Sequence, residues 1–223
     1  MGGYFSMPSA RIATPGTAAI GGTSIPPTNQ WGVNFAIFDH LEVATNHQVF
    51  RGISDTDRSG NIKLLLYNEK EELPLFPSFA VGFNDFFGDR RFYTYYLAAT
   101  KQFLPANLEV SLGWGHGDFS GLFGGATWTP FYNANVPYLK NFSFMAEYDA
   151  QRKGVNVGLV GDFMNLLQVK VASLGGNEVA ASGVFHYNFG ASDGFFPKVN
   201  NPRLYTTPVD HEPLGELRSE QEF

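Results

Sequence analysis

The sequence consists largely of short runs in which apolar and polar residues alternate, and these runs end at Gly, Pro, Asn or Asp. Three clear runs cover residues 108–114, 142–149 and 167–171. Because successive side chains of a β-strand point to opposite faces, strict alternation places one set of side chains on each face. The apolar set is mostly large or aromatic, whereas the other set includes Glu, Asp, Lys and Gln. Each strand must therefore separate an apolar environment from a polar one.

Composition favours a lipid bilayer over a protein core as the apolar environment. Only 16% of the residues are charged, which is below the ~25% of ordinary soluble domains. Aromatic residues also make up 16%, with 22 Phe and 10 Tyr, and transmembrane barrels place aromatic rings in girdles at both membrane interfaces. No window has the ~18 consecutive apolar residues that a membrane-spanning helix needs. An aromatic-rich soluble β domain is the alternative.

Alternation and turn residues predict about twelve strands and no helix. The predicted strands cover residues 17–24, 32–38, 41–50, 61–67, 78–85, 92–101, 108–115, 122–129, 142–149, 155–163, 167–173 and 179–189. The predicted fold is all-β, an antiparallel up-and-down transmembrane β-barrel of about twelve strands that occupies residues 17–190. A barrel of this size has a narrow interior, which we expect to be partly plugged.

The breaks between the predicted strands have unequal lengths. They are tight at 39–40, 164–165 and 175–177, and longer at 51–60 and 131–141. Outer-membrane barrels have short turns at one end and longer loops at the other, so we expect the same division here.

Two flanking segments differ from the barrel. Residues 1–16 form an N-terminal segment that leads into it, and the first five lack the basic and apolar features of a secretory signal. We therefore expect a mature or trimmed chain. Residues 191–223 form an acidic tail with four prolines, and proline at this density prevents strand pairing. We expect the tail to lie outside the barrel, on the periplasmic side, either disordered or extended along an envelope protein.

If the apolar set faces lipid, the opposite set must face the lumen. A Lys or Arg on the lipid face at mid-depth costs about 2–4 kcal/mol, so charged residues of the strands should point inward. Opposite charges on neighbouring strands can pair there. The predicted lumen residues are Asn34, Glu42, Lys63, Glu109, Ser111, Glu147, Asp149, Asn156, Asp162, Gln168, Lys170, Ser182 and His186.

The sequence contains no convincing catalytic, metal or cofactor motif. Glu109, Glu147, Asp149 and Asp162 could be read as a glycosidase carboxylate pair, which needs two carboxyls ~5–10 Å apart. A lumen salt-bridge network is the simpler interpretation. The five histidines are scattered, there is no GxSxG motif, and there is no cysteine. A net charge of −6 without a basic patch argues against a nucleic-acid partner.

An ordered set of motifs resembles the YjbH-like outer-membrane proteins of exopolysaccharide and group 4 capsule gene clusters. The N-terminal run GYFSMPSAR at residues 3–11 is similar to the opening of that family. Further similar elements follow in order as far as residue 190. They are found at residues 31–38, 41–43, 57–64, 75–88, 95–101, 112–115, 123–125, 147–149 and 155–159.

The resemblance implies an outer-membrane barrel associated with polysaccharide production or export, without catalytic residues that can be carried over. We expect a non-catalytic role as a conduit or an anchoring subunit, with membrane lipid and a polysaccharide as partners. One alternative is a structural barrel that docks an envelope complex through residues 191–223. Another is a soluble β-barrel or sandwich protein that binds carbohydrate.

Overall fold

The computed structural model describes residues 3–52, 54–69, 76–130, 138–164 and 166–189. These residues form twelve antiparallel strands and one short 3-10 turn at Leu104–Ala106. Among them, no helix is long and apolar enough to cross a membrane. The strands are β1 (Thr17–Ile25), β2 (Thr28–Phe38), β3 (Leu41–Phe50), β4 (Thr56–Tyr67), β5 (Ser78–Gly88), β6 (Thr94–Phe103), β7 (Leu108–Gly117), β8 (Gly121–Trp128), β9 (Leu139–Asp149), β10 (Gly154–Phe163), β11 (Leu167–Leu174) and β12 (Glu178–Asn188).

The strands form a closed barrel. Each strand pairs with its neighbours in chain order, and β1 pairs with β12 from Thr17 opposite Asn188 to Ser24 opposite Ala181. Closure leaves no unpaired sheet edge, so every strand has a backbone partner on both sides. The predicted all-β, twelve-stranded antiparallel barrel is confirmed.

The start of β4 lies five residues before the position predicted from the sequence. The run 51–60 was expected to be a long loop, but β4 begins at Thr56 and pairs there with β3, with Thr56 opposite Val49 and Gly60 opposite Thr45. This stretch is rich in polar residues and lacks the apolar alternation of the other strands. Cross-strand hydrogen bonding by the backbone holds it in the sheet regardless of side-chain character.

The two ends of the barrel carry different connections. We call the end at which β1 begins and β12 ends the terminal end, and the opposite end the far end. The two connections of ten residues join β4 to β5 and β8 to β9, whose facing strand ends lie at the terminal end. Every connection at the far end has five residues or fewer, and the terminal end also has short turns, such as the one at 39–40. The expected division therefore holds for the long connections, whereas short turns occur at both ends.

The outer wall exposes large apolar side chains along its whole height. Leu112, in the middle of β7, is 61% exposed. Exposed aromatic side chains are most frequent toward both ends of the strands, whereas exposed aliphatic ones occur along the whole strand length and predominate in the middle. Examples are Tyr95, Trp114 and Tyr148 toward the far end, Phe38, Phe103 and Trp128 toward the terminal end, and Leu97, Leu159 and Val171 between them. An apolar surface this extensive marks a face that contacts lipid or another protein.

The inner wall is less uniformly polar than alternation suggests. Phe123, Met145 and Val160 point inward and are buried. They pack in two apolar clusters together with residues of the N-terminal segment, including Met7 in one and Tyr4 in the other. The interior is therefore a packed core in part, and what fills it is the chain's own N-terminus.

Candidate functional site

The N-terminal segment runs inside the barrel. Residues 3–14, here called the plug, enter at the terminal end, where the Asn188 side chain donates a hydrogen bond to Thr14 Oγ1 at 2.9 Å. Midway along the plug, the Ala10 amide donates to Thr100 Oγ1 at 2.8 Å. The tip folds back on itself, with the Tyr4 amide donating to the Met7 carbonyl at 3.0 Å. The plug therefore runs from the terminal end through the lumen as far as Asp149, the last residue of β9, whose carboxylate accepts from Ser6 Oγ at 3.0 Å.

The plug tip is built around the carboxylate of Glu147. Three successive backbone amides donate to it, those of Phe5 at 2.9 Å, Ser6 at 3.1 Å and Met7 at 3.2 Å. Asn156 Nδ2 adds a fourth hydrogen bond at 2.8 Å. Successive N–H groups that converge in this way form an anion-binding concavity. The strand thus supplies a fixed anion, and the turn of the plug wraps around it.

A tyrosine and a lysine hold the tip on the two sides of Glu147, at strands β7–β8 and at strand β11. The Tyr4 hydroxyl bonds Ser111 Oγ at 2.9 Å and donates to the Gly125 carbonyl at 2.8 Å. The ring lies directly on Gly125, where a Cβ atom would stand 2.7 Å from ring carbons. Lys170 Nζ donates to the Gly3 carbonyl at 2.7 Å and to the Tyr4 carbonyl at 3.1 Å. The wall therefore binds carbonyl groups of the tip as well as its amides.

Arg11 fixes the base of the plug by ion pairs. Its guanidinium contacts Glu109 Oε2 at 2.9 Å through Nε and Glu69 Oε2 at 3.0 Å through Nη2, and it donates to Ser78 Oγ at 3.1 Å. Arg11 is only 6% exposed. Burial lowers the pKa of the guanidinium, but the attraction of Glu109 and Glu69 outweighs that effect and raises the pKa. Arg11 therefore remains charged inside the barrel.

A second ion pair joins neighbouring strands and also contacts the plug. Lys63 Nζ lies 3.5 Å from Glu42 Oε1, and the two residues are direct register partners on β3 and β4. Lys63 also donates to the Arg11 carbonyl at 2.6 Å, and Glu42 accepts from the Ala13 amide at 3.4 Å. This pair therefore holds the plug backbone as well as linking the two strands.

A cavity occupies another part of the lumen. It has a volume of about 620 Å³ and extends from the plug tip toward the far end. We call this space the vestibule. Asn34, Asp57 and Asp85 line it, and each has a buried side-chain oxygen that has no hydrogen-bond partner among the described residues. Unpartnered buried acceptors are uncommon in folded proteins, so this part of the wall differs from the plug-binding part.

The structure divides the predicted lumen residues into two groups. One group lies on the inner wall and surrounds the plug: Glu42, Lys63, Glu109, Ser111, Glu147, Asp149, Asn156 and Lys170. The others also lie on the inner wall but make no contact with the plug that the structure describes. Asn34 and Ser182 line the vestibule, Gln168 donates to Asp162 at 2.7 Å, and His186 is half-buried beside β1.

The four carboxylates considered as a glycosidase pair have other partners. Glu147 binds the plug tip, and Glu109 binds Arg11. Asp149 accepts from the backbone amides of Gln151 at 2.8 Å and Arg152 at 3.1 Å, which shapes the β9–β10 turn. No group of three or more His, Cys, Asp or Glu residues in the described ranges is arranged to hold a metal ion.

Sequence reasoning predicted a partly plugged interior but did not identify residues 3–14 as the plug, and it missed the acidic part of the vestibule. The run at residues 3–11 was recognised as a motif, but its position inside the lumen was not foreseen. Arg11 is the one charged residue of residues 3–14, and it is the signal that could have indicated their position. Acidic side chains that face the lumen need a cation to pair with, and Arg11 can supply one. Asp57 was missed because it falls in the stretch expected to be a loop. The proposed tail, residues 191–223, lies outside the described residues.

Comparison with known proteins gives one family match. The family model YjbH, described as "Exopolysaccharide biosynthesis protein YbjH", matches residues 1–121. No curated protein matches the chain. A solved chain from work described as "Unveiling the Mechanism Behind the in-meso Crystallization of Membrane Proteins" is 13% identical, with a TM-score of 0.45 over 84% of this chain and 88% of that chain. The matched family residues include the whole plug.

Proposed function

Because the chain belongs to the YjbH exopolysaccharide biosynthesis family, we propose that it is an outer-membrane β-barrel with a non-catalytic role in polysaccharide export or surface display. It acts as an anchoring subunit whose interior is closed by its own N-terminal segment. The observation that carries this proposal is the plug, which the inner wall holds with ion pairs and hydrogen bonds along its whole length.

The outer wall supports a position in a membrane. The strands have 8 to 12 residues, and a transmembrane β-strand needs about 9–11. Exposed aliphatic side chains between two zones of exposed aromatic rings match the apolar band and the interfacial girdles of outer-membrane barrels. The buried charged side chains face inward and therefore do not contact lipid.

The plug favours an anchor over an open conduit. A polymer passing through the lumen would have to displace residues 3–14, which would remove the Arg11 ion pair from Glu109 and the backbone amides of the plug tip from Glu147. Removing one partner of a buried ion pair costs about 3–5 kcal/mol. A gated conduit is the second candidate, and the discrete, non-sheet character of the plug favours it, since the wall closes without the plug.

The test of the anchor combines biochemistry and genetics. The full chain folded in detergent should migrate as a compact species on gels and shift on heating, and it should partition with the outer membrane of its native host. Deleting its gene should reduce cell-surface polysaccharide, and the wild-type gene should restore it. Unchanged surface polysaccharide in the deletion strain would refute the role, and recovery in the aqueous fraction without detergent would refute the location.

Planar bilayers separate the anchor from the conduit. The wild-type protein should show little or no steady conductance, whereas a variant lacking residues 3–11 should show stepwise channel openings. A wild-type protein that conducts continuously at low voltage would favour the conduit over the anchor.

A further inference from the structure

The vestibule contains hydrogen-bond acceptors that the protein itself does not satisfy. Asp57 is 2% exposed and Asp85 is 1% exposed, yet Oδ1 of each has no hydrogen-bond partner among the described residues. Asn34 Oδ1, deeper in the same cavity, is in the same situation. A buried acceptor left without a hydrogen bond is unfavourable. Three residues that line one cavity each carry such an acceptor, which indicates a ligand that donates hydrogen bonds.

The backbone around Asp85 holds its carboxylate in place. Asp85 has a φ of 53°, a left-handed conformation that Asp tolerates better than most residues. Its amide donates to Asn61 Oδ1 at 2.8 Å, and its own Oδ2 accepts from the Phe92 amide at 2.7 Å. The first bond fixes the backbone and the second fixes one carboxylate oxygen, and the other oxygen is the unpartnered acceptor. The acceptor is thus positioned by the wall before any ligand arrives.

The charges around the vestibule restrict the class of ligand. The cations that line it already have partners, since Lys63 and Lys170 hold the plug and Arg152 pairs with Glu178 at 2.6 Å. Two acidic side chains, those of Asp57 and Asp85, belong to the same wall. An anionic ligand would meet like charge, whereas hydroxyl groups would donate charge-assisted hydrogen bonds. The ligand should therefore be uncharged and rich in hydroxyl groups.

Aromatic rings at the mouth of the vestibule supply the apolar surface that such a ligand needs. Phe50 and Phe92 both line the cavity, and their rings stack with centroids 6.0 Å apart. The guanidinium of Arg91 lies 4.7 Å from the Phe50 centroid, which braces the ring from the rim. Small-ligand sites typically combine apolar and aromatic walls with a few well-placed polar groups in ~300–1,000 Å³. The vestibule has this composition and this size.

We propose that the vestibule binds an uncharged saccharide segment. Its hydroxyl groups donate to Asp57, Asp85 and Asn34, and its C–H faces pack on Phe50 and Phe92. This site adds a ligand to the proposed function, and it rests on that function for the inference that the saccharide is part of the exported polysaccharide. The site does not require transport, because the plug forms its floor. A polysaccharide would be held at the far end of the barrel and would not pass through it.

Calorimetry on the full chain in detergent micelles tests the site. The probe is a pool of short oligosaccharides, obtained by partial hydrolysis of the polysaccharide that the native host secretes and separated into uncharged and acidic fractions. The uncharged fraction should bind. The double variant Asp57→Asn, Asp85→Asn should bind about tenfold more weakly, because two charge-assisted hydrogen bonds become ordinary ones. Phe50→Leu should weaken binding independently through the aromatic surface.

Matched controls keep the outcome interpretable. Asp162→Asn changes an inward carboxylate outside the vestibule and should leave affinity unchanged, and heat-modifiable migration should confirm that each variant is folded. Absence of binding by the uncharged fraction overturns the proposal, as does equal binding by the wild type and the double variant, or preference for the acidic fraction. If one of these results is obtained while the deletion strain does lose cell-surface polysaccharide, the site alone is refuted. If the uncharged oligosaccharides bind but the deletion strain keeps its surface polysaccharide, the proposed function alone is refuted.

Discussion

Arg11 and Glu109 form an ion pair inside the barrel, with Nε and Oε2 2.9 Å apart and both side chains nearly inaccessible to water. Arg11 belongs to the plug and Glu109 is the second residue of β7, so the pair joins the plug to the barrel wall. Glu69 shares the same guanidinium from the connection that follows β4. The charges that the sequence indicated as lumen-facing thus have a specific occupant.

Replacing Arg11 should release the base of the plug. Arg11→Met leaves Glu109 buried without its ion-pair partner, which costs about 3–5 kcal/mol, while Glu69 keeps its ion pair with Lys101. We expect stepwise conductance in planar bilayers and a lower free energy of unfolding from lipid vesicles. Glu178→Gln removes the exposed pair with Arg152 and should change stability by no more than about 1 kcal/mol. Equal effects of the two substitutions would contradict the buried pair's role.

Neutralising Glu147 should loosen the plug tip. Glu147→Gln weakens several hydrogen bonds that now end on a charged acceptor, and bonds of this kind contribute about 1.5–3 kcal/mol. Because the chain has no cysteine, Ala10→Cys introduces a single reporter at a position that is 0% exposed. The reporter should react slowly with a water-soluble thiol reagent in the otherwise native chain and much faster with Glu147→Gln. Asp162→Asn should leave the labelling rate unchanged.

Packing of the Tyr4 ring against β8 should require glycine at position 125. Gly125→Ala places a Cβ atom 2.7 Å from ring carbons, and overpacking of this kind costs about 1–3 kcal/mol. Gly183→Ala is the matched control, since nothing lies within 4 Å of the added atom. Tyr4→Ala should cost stability alone but remove the additional penalty of Gly125→Ala in a double-mutant cycle measured by unfolding. Strict additivity of the two substitutions would be inconsistent with the contact.

The outer wall should not accept a charge at mid-height. Leu112→Arg puts a guanidinium on the exposed face of β7, which costs about 2–4 kcal/mol when that face contacts the bilayer centre. The measurement is the free energy of unfolding from lipid vesicles together with the yield of inserted protein. Asn177→Arg, in the exposed turn between β11 and β12, should be nearly neutral. A neutral Leu112→Arg would show that this face does not contact lipid.

Stability should depend on pH through Asp118, at the rim between β7 and β8. Partial burial raises the pKa of its carboxyl, and the negative charges of Asp149 and Asp85 raise it further, against a hydrogen bond from Gln151 that lowers it. Between the ordinary value of about 3.9 and the raised value, the folded chain binds more protons than the unfolded chain. Stability therefore falls as the pH rises through that window.

Asp118→Asn removes this titration. The difference in unfolding free energy between the variant and the wild type should shift in favour of the variant as the pH rises through the window, and it should be constant above it. The measurement is a series of denaturant unfolding curves across the acidic range. A difference that stays the same at every pH would exclude a raised pKa at this position.

The wall could be predicted from the sequence because each strand carries its own signal. In the run around Glu109 and Ser111, every second residue faces inward and the residues between them face outward, as period-two alternation requires. The pairing of Glu42 with Lys63 is an instance of the general expectation that opposite charges can pair on neighbouring strands, although this pair was not singled out. These relations are local or involve neighbouring strands, so residue order is sufficient to indicate them.

The occupant of the lumen could not be predicted in the same way. Residues 3–14 have no alternation, and their backbone hydrogen bonds end mainly on distant side chains such as Glu147 and Thr100. Nothing in the order of residues indicates that a turn at residue 4 meets a carboxylate 143 positions later. Alternation places Met145 in the inward set with Ser143 and Glu147, but only the plug explains why an apolar side chain is stable there, since Tyr4 belongs to the same apolar cluster.

The plug and the closing seam of the barrel share an attachment point, which has a mechanical consequence. The Phe189 amide donates to the Gly16 carbonyl at 2.9 Å, directly beside the pairing of Thr17 with Asn188. Tension applied at Gly3 would load Lys170 and the Glu147 contacts first, then the Arg11 ion pairs, and the seam last. The attachments thus act in series, and the plug must detach before force applied at the N-terminal segment reaches the wall.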